Sequence, residues 1–134
     1  MATTSEYKKP LPTPSHVSQP FWDAAKEHRL TYQRCSACGT RVFYPRDVCP
    51  HCLSTDTTWL QAAGSGRVYS FSTMGKGDAA WTLAFVTLDE GVTLMTNLVD
   101  CDPRQVAIGQ RVRAVFKPTD GGHTVPMFTR LEGA

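Results

Sequence analysis

The sequence has little of what several function classes require. No apolar run approaches the roughly 20 residues that span a bilayer. The polar, proline-punctuated N-terminus does not read as a signal peptide, so a cytoplasmic protein without a membrane is expected. Charge is sparse: 19% of residues are charged and the net charge is +2, which gives polyanions no strong attraction. There is no Gly-x-Ser-x-Gly elbow, phosphate loop or pair of carboxylates arranged for acid–base work. Internal repeats and low-complexity tracts are also lacking. What remains is a chain of 134 residues with 41% hydrophobic content, enough for one or two small cored domains.

Cysteine is scarce too, but four of the five stand in a telling pattern. Cys35-Ser-Ala-Cys38-Gly39 and Cys49-Pro-His-Cys52 are two Cys-x-x-Cys turns. Each such turn converges two thiolates on one point while its amides delocalise their charge. Two of them supply four sulfurs at about 2.3 Å, the demand of a closed tetrahedral zinc site. The intervening residues suffice for a hairpin with a strand at Arg41-Val42-Phe43-Tyr44. Two disulfides would need an oxidising compartment. A thioredoxin-type pair would want one motif in a βαβ unit. Iron suits the same four thiolates, but the expectation is structural zinc on Cys35, Cys38, Cys49 and Cys52. With every position filled by protein, such a metal holds structure and does no chemistry. His51 then reads as an exposed turn residue. Cys101, in Asp100-Cys-Asp-Pro103, reads as a small loop residue rather than a nucleophile.

In chain order, residues 1–17 read as an extended arm, because Pro10, Pro12 and Pro14 forbid a helix. Ser18-Gln19-Pro20 opens a helix of about ten residues, with Ser18 capping the free amides and Pro20 in the first turn. Its Phe21, Trp22 and Ala25 form an aromatic stripe that must be buried on the ribbon, the following domain or another chain. Leu30–Arg34 leads as a strand into Cys35, and residues 18–61 make the helix and zinc ribbon, sealed by Trp59 and Leu60. A boundary falls in the small, flexible stretch Ala62–Gly66.

From there the apolar period becomes two. Strands are expected at 67–74, 81–88, 92–98, 109–116 and 125–130, with a hairpin through Asp89-Glu90-Gly91 and Pro126 at an edge. Five short strands with a long link after the third have the rhythm of an OB-fold barrel over residues 62–134; a sandwich fragment is the alternative. The fold class is therefore mainly β: an N-terminal helix and rubredoxin-like zinc ribbon, then a five-stranded barrel.

An OB barrel beside a zinc ribbon invites single-stranded nucleic acid, yet the charge count opposes it. From residue 61 onward Arg67, Lys76, Arg104, Arg111, Arg113, Lys117 and Arg130 are balanced by Asp78, Asp89, Glu90, Asp100, Asp102, Asp120 and Glu132. A neutral barrel has little to neutralise phosphates with, so this remains the alternative. No nucleophile stands beside a base, and His123 reads as a solvated loop residue, so no catalytic residue is assigned. The loop Met74–Ala80, with two glycines and Lys76, could cover something carrying phosphate or an acyl chain.

The order of parts resembles one family. Phe21-Trp22-Asp-Ala-Ala, Leu30, the two cysteine turns, Tyr44-Pro45, Gly64-Ser-Gly66-Arg-Val-Tyr-Ser-Phe, Leu88-Asp-Glu-Gly91 and Ile108-Gly109 with Val112 look like the DUF35 proteins. The similarity runs over about residues 18–131 and departs from the family in a single Pro45, where many members have a proline pair. The resemblance implies a non-catalytic accessory subunit. Its partner would be a thiolase-superfamily enzyme, a thiolase, acyltransferase or CoA-ester aldolase, in a hetero-oligomer that handles acyl-CoA. Partner contacts are then expected at Phe21, Trp22, Phe43, Tyr44 and Trp59. A sibling reading is a stand-alone acyl-CoA-binding module, with Lys76, Arg111 and Arg113 near the phosphates.

Overall fold

Alternation of apolar and polar residues dictates most of what forms. The computed structural model of the chain describes residues 12–77, 80–119 and 122–131. Among the described residues it shows one α-helix, α1 (Gln19–Lys26), a single 3-10 turn at Pro103–Gln105 and eight strands. These are β1 (Thr31–Cys35), β2 (Arg41–Val42), β3 (Thr57–Gln61), β4 (Ser65–Met74), β5 (Trp81–Leu88), β6 (Thr93–Leu98), β7 (Arg111–Pro118) and β8 (Thr124–Arg130). They fall into two compact units. One holds the residues up to Gln61 together with Phe116–Pro126; the other holds Ala62–Val115 and the residues from Met127 on. The expected arm at 1–17 lies mostly outside the described residues.

In the first unit α1 is shorter than the sequence suggested. Ser18 does not cap it: its backbone is helical and its side chain makes no cap bond. The Ser18 hydroxyl instead accepts from the Ser15 amide at 2.9 Å, a turn bond one step upstream. The other end closes at Lys26. The Arg29 amide reaches the Ala24 carbonyl, the His28 amide reaches Ala25, and His28 takes φ 60°. This pair of bonds is a Schellman closure, with His28 where glycine is usual.

The aromatic stripe of α1 finds its cover inside this unit. Phe21, only 9% exposed, meets Trp22 at 5.1 Å and Phe43 at 5.7 Å, both edge-on, and Phe43 meets Tyr44 at 5.2 Å. Two rings arrive from far along the chain: His28 stacks on Phe116 at 5.1 Å, and Trp22 packs edge-on to His123 at 6.4 Å. These contacts explain why Phe116–Pro126 groups here rather than with the rest of residues 62–134. His123 is accordingly not a solvated loop histidine but half-buried against Trp22.

The ribbon is a three-stranded sheet in the order β2-β1-β3. Its strand β3 carries Trp59, which pairs with Gln33 across the ladder. The sequence reading assigned no strand there, because Thr57–Gln61 has too few apolar residues to alternate visibly.

The five strands β4-β5-β6-β8-β7 close into a barrel in that order, the OB topology. Along β5 and β6 every second residue is buried: Thr82, Ala84, Val86, Leu88, then Leu94, Thr96 and Leu98. With Val68, Val112 and Phe128 they fill the interior, each full burial of a Val or Leu contributing about 1.5–3 kcal/mol. Gly91 takes φ 100° in the β5–β6 turn, as the hairpin requires.

Two expectations are corrected. Pro126 is buried on a strand of a closed barrel, which has no edge; it lies upstream of the Leu98–Phe128 pairing that joins β6 to β8. The stretch Ala62–Gly66 is not loose: Ser65 already belongs to β4, and Gly66 is buried so tightly that a Cβ there would run into the Thr87 carbonyl.

Candidate metal centre

Two chain segments of the same design build the centre. In the first, the Cys35 amide donates to the Thr40 carbonyl and the Gly39 amide donates to Cys35. Fourteen residues on, the Cys49 amide donates to Ser54 and the Leu53 amide to Cys49. Gly39 (φ 78°) and Leu53 (φ 67°) occupy the same left-handed position. That conformation reverses the chain just after the second cysteine, so that Thr40 and Ser54 return to pair with the first. Glycine adopts it freely, whereas Leu53 holds it at a steric cost.

The result brings four sulfurs together. Among the described residues, Cys35, Cys38, Cys49 and Cys52 are the group placed to hold a metal, with sulfurs all within 4.8 Å of one another. Cys35 and Cys52 sulfurs lie 3.5 Å apart, and Cys38 and Cys49 sulfurs 3.7 Å. A tetrahedron with metal–sulfur bonds of about 2.3 Å has edges of about 3.8 Å. The cluster therefore fits one tetrahedral ion, and the cysteines are not joined as disulfides. Cys35 and Cys49 are buried while Cys38 and Cys52 are exposed.

Without an ion the thiols polarise one another. Hydrogen bonding with the Thr40 side chain, then with its backbone, holds Cys38 down at about 6. The Ser54 amide pulls the other way at Cys52, but sharing with Cys35 and desolvation push that thiol up to about 12. A divalent ion held by the four sulfurs would replace the retained protons. His51 is exposed, and its amide donates to the Cys49 sulfur at 3.4 Å. Its contribution to the centre is thus through the backbone.

The other residues singled out from the sequence do not converge on one site. Phe21 is spent on packing, whereas Tyr44 is 47% exposed. Tyr44, Phe43 and Trp59 line a shallow groove of the ribbon with Thr31, Tyr32 and Pro45. Arg111 is engaged: its guanidinium grips Asp89 at 2.7 and 3.2 Å, and the Ser65 hydroxyl donates to the same carboxylate at 2.6 Å. That clamp holds Asp89 down at about 2, the Arg111 hydrogen bonds contributing most. Arg113, on β7, and Lys76, in the loop after β4, are exposed. Cys101 is half-buried in its loop, beside Asp102, which pairs with Arg104. The sequence reading missed Thr40 and the Asp89–Arg111 clamp; the Thr/Ser recurring two residues after each Cys-x-x-Cys was the available signal for the first.

A family model described as "ChsH2, rubredoxin-like zinc ribbon domain" matches residues 22–58, and one described as "ChsH2, C-terminal OB-fold domain" matches residues 59–117. The chain is 35% identical over 104 residues to a "DUF35 domain-containing scaffold protein" of Methanocaldococcus jannaschii, covering 74% of it. It is 40% identical over 114 residues to a "Probable enoyl-CoA hydratase alpha subunit" of Thermomonospora curvata. That match takes in 81% of this chain and only 36% of the relative, so the chain spans about a third of that protein's length. Among solved structures it is similar to a chain of the "Ltp2-ChsH2(DUF35) aldolase", at 35% identity and a TM-score of 0.80, covering 90% of this chain and 98% of that one.

Proposed function

The chain belongs to the DUF35 family, and from that premise we propose that it is a non-catalytic accessory subunit that assembles with a thiolase-superfamily enzyme acting on acyl-CoA. The observation that carries the reading is the near-complete match to one chain of a solved aldolase assembly. A relative named as an alpha subunit supports it.

The ion bound by Cys35, Cys38, Cys49 and Cys52 is zinc on this reading. It supplies a cross-link between two turns and leaves no open position for substrate. The groove residues Phe43, Tyr44 and Trp59, with the half-buried Trp22, are the contacts offered to the catalytic subunit, since aromatic residues dominate such interfaces. Phe21 supports them from beneath. If the CoA moiety reaches this chain, Lys76 and Arg113 are the cations available to its phosphates, because Arg111 would first have to release Asp89.

Affinity purification of the tagged chain, with mass spectrometry of what co-purifies, tests the proposal. A stoichiometric thiolase-like polypeptide is expected, together with about one zinc per chain by elemental analysis. Turnover of an acyl-CoA by the purified chain alone would overturn it, as would tight, salt-sensitive binding of a single-stranded oligonucleotide.

A further inference from the structure

The two cysteine turns invite a controlled comparison, because they share their backbone hydrogen bonds and differ in one side chain. Thr40 and Ser54 occupy the same place, two residues after Cys38 and Cys52. Each accepts, on its backbone carbonyl, the amide of the first cysteine of its turn. The Cys38 thiol also donates to the Thr40 hydroxyl at 3.1 Å, a bond that a metal-bound thiolate can only accept in reverse. The Ser54 hydroxyl has turned away, and accepts instead from the Asp56 amide at 3.0 Å. Two sulfurs are shielded by burial, those of Cys35 and Cys49, and two face solvent. Of the exposed two, only Cys38 has a hydroxyl on it.

We propose that this asymmetry makes Cys52 the sulfur through which the metal centre is opened by soft electrophiles, with Thr40 as the residue that guards Cys38. The inference rests on the metal reading above. In the loaded centre both sulfurs are thiolates and can only accept, so the Thr40 O–H donates to Cys38 and withdraws electron density from its lone pairs. A thiolate stabilised by an added hydrogen bond is a weaker nucleophile, and exposure decides the rest. At Cys52 nothing comparable competes with an incoming electrophile. With a maleimide, a lone pair of the Cys52 sulfur forms the new S–C bond and the metal–sulfur bond breaks. The alkene π electrons become the adjacent carbanion, which takes a proton from water. The neutral thioether is a poor ligand, so the ion leaves with three thiolates unsatisfied.

The test treats the full zinc-loaded chain, carrying Cys101→Ser, with less than one equivalent of N-ethylmaleimide. Peptide mass spectrometry reads which cysteine is labelled, and a chromogenic chelator reads zinc release. Metal content, measured first, tests the metal reading by itself. Label on Cys52 should exceed label on Cys38 by about fivefold, the scale of one net hydrogen bond, and zinc release should track the Cys52 adduct. Thr40→Val should bring the two cysteines to similar rates, while Thr40→Ser keeps the bias and shows that the hydroxyl, not the fold, is responsible. Equal labelling in the unmodified chain, or a Cys52 preference unchanged in Thr40→Val, would overturn the proposal.

Discussion

Gln33 and Arg46 exchange two hydrogen bonds: the Gln33 Nε2 donates to the Arg46 carbonyl at 2.9 Å, and its Oε1 accepts from the Arg46 amide at 2.8 Å. Gln33 is only 4% exposed and sits on the central strand of the ribbon. Its amide therefore acts as a rung of sheet where the chain has none, tying β1 to the segment that leads into Cys49. Gln33→Leu keeps the volume but leaves the Arg46 backbone groups unpaired in a partly buried place. A loss of about 1–3 kcal/mol is expected, read as an earlier denaturant midpoint for Trp22 and Trp59 fluorescence. An unchanged midpoint would mean that water satisfies Arg46 equally well.

Metal removal should act regionally. Four thiolates crowded within one cluster are tolerable only with a cation among them, so ion binding and folding of the ribbon are one equilibrium. Chelation, or Cys38→Ser, is expected to abolish amide protection at Tyr32 and Gln33 while that of Val86 and Leu94 in the barrel persists. Hydrogen exchange followed by NMR reads both at once. Retention of ribbon protection without metal would contradict a structural role for the ion.

The Asp89 clamp gives the barrel an acid limb. Its carboxyl is held at about 2, against an ordinary 3.8, by the Arg111 hydrogen bonds first and the Ser65 hydroxyl second. A depressed pKa means that the unfolded chain binds the proton more readily. The stabilisation is thus fully present above about pH 4 and fades as pH falls toward 2. Both side chains are partly solvent-exposed, so the effect is modest and salt-sensitive. Asp89→Asn should flatten the stability profile across that window and change little else. A profile as steep as the parent's would show that other carboxylates govern acid unfolding.

Leu53 stands at φ 67° with 75% of its surface exposed, where the twin turn has Gly39. A left-handed leucine costs about 1–2 kcal/mol, and its exposed side chain recovers little of it. Leu53→Gly is expected to raise the thermal midpoint of the isolated metal-loaded chain, the relief offset in part by glycine's greater freedom when unfolded. A lower midpoint would show that the Leu53 side chain packs more productively than its exposure implies.

Much of this was legible in the chain because it depends on local rules. Spacing announced the cluster of four cysteines, since a Cys-x-x-Cys turn needs only its own backbone to converge two sulfurs. Strict alternation announced β5 and β6, and Gly91 the turn between them. Strand β3 stayed hidden because Thr57–Gln61 is held by its ladder to β1 rather than by an apolar face of its own. The helix cap failed at Ser18 because a hydroxyl can serve a turn behind it as easily as the helix ahead.

The sequence by itself determined that two cysteine turns would gather four sulfurs in one cluster and that a neutral five-stranded barrel would follow, since cysteine spacing and side-chain period are properties of adjacent residues. Only the tertiary structure decided that Phe21 is buried on Phe43, that Phe116 and His123 return to the rings of the N-terminal unit, and that Arg111 answers Asp89. Those pairings join residues between 22 and 101 positions apart. Nothing in either neighbourhood records the distant partner; the path of the backbone brings the two together.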